Sequence, residues 1–330
     1  MVLTSKVKLF ILLLCVPVIV CLHICVGEFD LNLELIQQSL FDFNPTDTNQ
    51  VILRDFRIPR LLIGVIAGSG LAISGLLMQT LFNNPLAGPY ILGINSGASL
   101  FAAFSIMTGV TFFSSQFGTI TSALLGAFIF GLIILGFSLF VRSKISLLLI
   151  GVMLGSFSGA LITVIQSMSD AFQLKKFTIW TMGSLQQVSF DEFPIILLFY
   201  FFALILLIFT VKPLNALVIG ESQAALLGIP VRFIRILLIF ITAILTGLIT
   251  AYCGPIAFVG IAVPNVVKLL FKTQNHIVLI LGSMIFGVIF LLFSDWLVQL
   301  LWSSIHLPIN AVTSLIGAPF VIFIIIKKLA

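Results

Sequence analysis

Apolar runs of about twenty residues follow one another along the whole chain, and each is as long as a helix needs to be to cross a bilayer. Ten are legible, at 9–26, 61–82, 91–108, 118–141, 145–168, 193–211, 233–253, 256–271, 277–301 and 309–326. The run at 256–271 is the shortest and is broken by Pro264, yet omitting it would invert every later connection. With 60% hydrophobic and 8% charged residues, too little polar sequence remains for a soluble domain. The expectation is an all-α polytopic membrane protein of about ten transmembrane helices, a single integral domain over 1–330. Lys6 and Lys8 precede the first run as they would in a secretion signal, but no small-residue cleavage site follows, so it reads as the first membrane helix.

Basic residues test the count, because they concentrate on the cytoplasmic side of membrane proteins. Placing both termini in the cytoplasm puts Lys6, Lys8, Arg142, Lys144, Lys212, Arg232, Arg235, Lys268, Lys272, Lys327 and Lys328 inside, leaving Arg54, Arg57, Arg60, Lys175 and Lys176 outside. The acids fall the other way, and Glu221 alone is internal. The net charge of +5 therefore reports orientation and gives no sign of nucleic-acid binding.

Catalytic chemistry is missing. No GxxxxGK[ST] phosphate loop occurs, so ATP must be hydrolysed on another chain, and no HExxH occurs. His23, His276 and His306 are far apart, and none of Cys15, Cys21, Cys25 and Cys253 forms a CxxC pair, so no metal centre is expected. Asp295 is the one carboxylate inside a run, near its outer end, where hydrogen bonding at a helix end is the preferred reading. An ion-coupled secondary transporter is the alternative class. Such carriers place ionisable groups or broken helices at the midplane, and these runs are nearly free of charge.

Two features need a further explanation. The runs at 61–82 and 145–168 carry small-residue stripes, Gly64, Gly68, Ala72 and Gly75 in one, Gly151, Gly155 and Gly159 in the other. Both suit close helix packing, and both suit the lining of a pathway. Between the second and third runs lies a polar knot, "FNNPLAGPYILGINSGAS" from Phe82, which reads as a cytoplasmic turn where Pro85 and Pro89 stop the helix and Gly88 permits a bend.

The knot and the sequence before it, "LRDFRIPRLLIGVIAGSGLAISGLLMQTLFNNPLAGPYILGINSGAS", closely resemble the signature region of the iron-siderophore, haem and cobalamin permeases of type II ABC importers. Counterparts continue in order through "LLLIGVMLGS" at 147, "WTMGSLQQVSF" at 180, "ALVIGESQAALLGIPVRFIR" at 216, "GPIAFVGIAVPNVVKLL" at 254 and "LPINAVTSLIGAPFVIFII" at 307. Together these are specific to the family.

The resemblance implies a ten-helix permease in the inner membrane of a bacterium. Its partners would be a second permease subunit, two cytoplasmic ABC ATPase subunits that hold ATP and Mg, and an extracytoplasmic substrate-binding protein. It assigns coupling helices at about 215–232, with Gly220, Glu221, Ala224, Leu226, Leu227 and Gly228 meeting the ATPase. An amphipathic surface helix is the plainer reading there. Arg57 and Arg60, with Arg54 beside them, would meet carboxylates of the binding protein, while lipid-headgroup anchoring is their plainer role. Gly68, Gly75, Gln79, Asn84, Pro85, Ser96, Gly97 and Gly155 are expected along the pathway, and Ser143, Lys144, Ile145 and Ser146 at the gate. The sequence departs from the family at Asn265 and Lys268, where relatives carry His and Arg, and at Gln299 and His306, where relatives carry Arg and an acid.

Overall fold

The computed structural model describes residues 4–25, 37–39, 42–108, 115–141, 143–301 and 307–329. Helix α1 (Ser5–Cys25) is followed by α2 (Ile58–Phe82), which is entered through a helical turn and a π turn over 48–57, then by α3 (Ile94–Met107), α4 (Gln116–Phe140) and α5 (Lys144–Ser167). Next come α6 (Ala171–Thr181), α7 (Phe193–Leu217), α8 (Glu221–Leu226), α9 (Val231–Cys253), α10 (Val259–Phe271), α11 (His276–Leu301) and α12 (Ile309–Leu329). Among the described residues, seven helices are long and apolar enough to span a membrane, and three shorter apolar ones coincide with the expected runs at 91–108, 256–271 and 309–326. Helices α6 and α8 lie outside the runs. Several starts are fixed by side-chain caps: Ser115 accepts from the Gly118 amide at 3.0 Å, Ser143 from Ser146 at 3.3 Å and Asp170 from Gln173 at 2.9 Å.

Helix α2 is the axis of the fold, buried almost throughout and packed against α9, α10 and α11. Its glycines make this possible. A Cβ on Gly68 would sit 2.4 Å from the carbonyl oxygen of Gly287 in α11, and one on Gly75 would sit 1.7 Å from that of Gly260 in α10. Gly97 likewise meets Phe130 and Gly126 of α4. These three positions, expected along the pathway, serve contacts between helices of one chain, because only a missing side chain lets the backbones approach so closely. Gly75→Val should lower folding stability by about 3 kcal/mol or more, since backbone and not a side-chain tip must yield. Thermal unfolding in detergent measures this, with Gly136→Ala as the silent control, for Gly136 has nothing within 4 Å of an added Cβ.

The polar knot is not a simple turn. Asn83 ends α2 in the left-handed conformation (φ 48°), and the chain then runs along α10 through a turn over 84–87 and a 3-10 turn over Pro89–Leu92: the Pro85 carbonyl accepts from Asn265, Gly88 lies against Ile261, Pro89 against Gly260, and the Tyr90 hydroxyl pairs with both backbone groups of Ile256. Ala87, Gly88, Pro89 and Leu92 are buried. Gly88 is extended (φ −103°), so the left-handed positions of this segment are Asn83 and Gly93 (φ +75°), and Gly88 is needed for room. Gly93 abuts Gly151, seven residues into α5, or about 10 Å up that helix at 1.5 Å per residue. Non-helical backbone at that depth is tolerable only when protein groups satisfy it, which explains the Asn and Tyr and the shortness of α3 and α10.

Candidate functional site

The six-residue helix α8 stands between Gly220 (φ +136°) and Gly228 (φ +79°), conformations that side chains resist and that turn the chain sharply at both ends. Ala224 is fully buried and anchors it, whereas Leu226 is 88% and Leu227 67% exposed, with Val218 and Ile219 exposed beside them. An apolar group presented outside the membrane runs marks a surface that meets another protein or the membrane. The expected coupling segment is shorter than 215–232 and holds one helix, because α7 continues through Pro213 to Leu217.

Glu221, the first residue of α8, is the centre of an ion network that sequence reasoning missed. Its carboxylate accepts from Arg235 Nη2 at 3.1 and 3.3 Å and lies 3.4 Å from Lys144 Nζ, the first residue of α5. Arg235 also donates to the Val141 carbonyl at 3.2 Å, and Arg232 to that of Leu139 at 2.7 Å, so α9 holds the end of α4. The expected gate residues Ser143 to Ser146 form the capped start of α5, with Ile145 73% exposed. The signal that could have found the network was the solitary acid among the internal connections.

At the opposite end the three arginines separate. Arg54 lies over the Phe43 ring at 4.1 Å, and Arg57 Nη1 donates to the Ile24 carbonyl at 2.6 Å. Arg60 makes a two-pronged bond with Asp295, Nε to Oδ2 at 2.7 Å and Nη2 to Oδ1 at 2.8 Å. His23 Nε2 reaches the same carboxylate at 2.7 Å and Gln299 Nε2 at 3.1 Å. Asp295 is buried within α11, so it joins α1, α2 and α11 and does not serve as a helix-end cap. A carboxylate at that depth needs such partners to offset its lost hydration. An internal partner thus occupies the Arg60 guanidinium, which had been expected to face outward. A cavity of about 540 Å³, lined by Arg60, Asp295 and the 182–187 loop, opens beside it.

The remaining pathway candidates divide. Gln79, Asn84 and Pro85 line a polar inner cavity of about 440 Å³ with Asn265 and Lys268, and Lys268 Nζ donates to Gln79 Oε1 at 2.8 Å. Two of the four departures from the family, Asn265 and Lys268, therefore line this cavity, and a third, Gln299, joins the Asp295 cluster at the opposite end. Ser96 and Gly155 face each other between α3 and α5, where a Cβ on Gly155 would be 3.3 Å from Ser96 Oγ. Helix α5 itself is scarcely covered by its own chain. His306 lies outside the described residues. Among the described residues no group of three or more metal-ligating side chains occurs.

Residues 13–327 match the FecCD transport family. The chain is 36% identical over 308 residues to the vitamin B12 import system permease protein BtuC of Vibrio parahaemolyticus, covering 93% of this chain and 90% of that one. It is 32% identical over 302 residues to the hemin transport system permease protein HmuU of Yersinia pestis, covering 90% and 89%. A solved structure described as an inward-facing conformation of a metal-chelate type ABC transporter superposes with a TM-score of 0.84 at 28% identity, over 98% of this chain and all of that one.

Proposed function

The chain belongs to the FecCD transport family, the membrane permeases of ABC importers, and from that premise we propose that it moves a ferric siderophore, haem or cobalamin-type chelate across the cytoplasmic membrane. Permeases of this family work with a separate ATPase and a substrate-binding protein. In our reading, two permease subunits pack around a shared path, identical or paralogous, and two ATPase subunits bind ATP and Mg beneath them. The uncovered flank of α5, with Gly159 on it, supports a seam between two such subunits. The small residues there leave room for a bulky ligand and the scarcity of charge avoids trapping it. Ser143 to Ser146 would close the inner end. The outer arginines Arg54 and Arg57 remain the choice for docking the binding protein, by bidentate contact with its carboxylates.

The observation that carries the reading is the exposed Leu226 and Leu227 pair on α8, which gives an external motor a place to push. Proteoliposomes containing the chain with its ATPase and binding protein test it when offered a ferric hydroxamate, haem and cobalamin in turn. We expect ATP-dependent accumulation of one of the three and no ATP hydrolysis by the purified chain alone. Uptake driven by an ion gradient without the ATPase would overturn the proposal in favour of a secondary transporter.

A further inference from the structure

We propose that Glu221 is the positioning residue that transmits motion from α8 to the inner end of α5, through its ion pair with Lys144. The inference rests on the reading of α8 as the ATPase-facing helix and adds how that helix is tied to the gate.

Three observations support it. Glu221 is the sole acid in the internal connections and termini, which otherwise carry only cations, so no neighbouring carboxylate can replace it. Its carboxylate sits between cations from two different helices: Lys144 begins α5, and Arg235 lies in the second turn of α9. Finally, α5 carries no acid in its first turn and begins instead with a lysine. A cation is unfavourable at a helix N-terminus, where unpaired amides already concentrate positive charge. Glu221 supplies from another helix the anion that this terminus lacks.

The consequence is mechanical. The contact is half-exposed, with the Lys144 side chain 25% and that of Glu221 29% accessible, so it adds little to stability. A pair of that kind can break and re-form without unfolding its surroundings. Displacing α8 moves the carboxylate relative to Lys144 and either draws the start of α5 with it or releases that start from its counter-charge. Arg235 keeps the other side fixed, because its guanidinium also holds the Val141 carbonyl at the end of α4. Among the described residues, force applied to α8 therefore reaches α5 directly through this ion pair, beside Ile145 and within the segment expected to gate the path.

The test uses the complete importer in proteoliposomes and reads solute moved per ATP hydrolysed. Lys144→Met and Glu221→Gln should each lower that ratio about tenfold while the ATPase still co-purifies with the permease and still turns over ATP. The double variant should be no worse than Glu221→Gln alone, because that substitution already removes the pair with Lys144 along with the one to Arg235. Lys144→Arg, which restores the cation, should recover the ratio. A merely structural role would lower thermal stability in parallel and would not be rescued. Normal coupling in Lys144→Met, or additive losses in the double variant, would overturn the link. If Glu221→Gln fails to fold, the Lys144 variants alone decide. Loss of ATPase co-purification in Glu221→Gln would overturn the proposal by making Glu221 a docking contact, whereas failure of the α8 reading itself would appear as intact ATPase binding in Leu226 and Leu227 charge variants.

Discussion

Leu226→Asp combined with Leu227→Asp is expected to abolish ATP-driven uptake while the permease remains inserted and folded. Both side chains point away from the chain, so replacing them removes almost no internal packing. Ala224, Gly220 and Gly228, which give α8 its position, are untouched. At an interface the same change is severe, since two carboxylates must lose water without partners where apolar surface was buried before. A penalty of about 3 kcal/mol would weaken ATPase binding roughly a hundredfold. Co-purification of the ATPase and solute-stimulated ATP turnover measure the effect. Ordinary transport by this variant would remove α8 from the docking surface.

Asp295→Ala is expected to be the most damaging single change at the outer end, lowering stability by about 3–5 kcal/mol, because it strands the largely buried Arg60 guanidinium. His23 and Gln299 lose their shared acceptor in the same step. Arg60→Ala should cost a similar amount, and Arg60→Ala with Asp295→Ala less than the sum, since removing both ions leaves no unpaired charge. Thermal unfolding of the four proteins in detergent closes the cycle. Additive losses would show that the pair does not act as a unit.

This pairing changes how docking must be tested. Arg60→Glu would set two carboxylates against each other inside the protein, so lost uptake would report misfolding. Arg54→Glu is the cleaner probe, because Arg54 rests on the Phe43 ring with its charge outside the buried cluster. The sequence offered no way to separate the three arginines. They share a type, a spacing and a side of the membrane, and only the approach of α11 from 235 residues away distinguishes Arg60.

Glycines were legible to the same limited depth. The stripe Gly64, Gly68 and Gly75 announced close approach, but the partner decides whether an approach makes a wall or a passage. Gly260 and Gly287 proved to be those partners, and the walls are internal. The polar knot was likewise visible as an interruption, while its course was not. Prolines state that a helix stops. They do not state that the chain then climbs beside α10, which depends on Asn265 and Tyr90 meeting backbone groups far away in sequence.

The sequence by itself determined the helical class, the positions of the ten apolar runs, the need for an external motor and the family. Each of these follows from local composition, run length or motif order, because a bilayer tolerates only chains that satisfy their own backbone and bury no unpaired charge. Only the tertiary structure decided that Arg60 belongs to Asp295, that Glu221 joins α8 to α5 and α9, and that Gly75 seats α10 against α2. The Arg235 partner of Glu221 lies 14 residues away, but the other partners lie 77 to 235 residues apart in sequence, and contact across such distances is set by how helices pack in three dimensions, which no single run encodes.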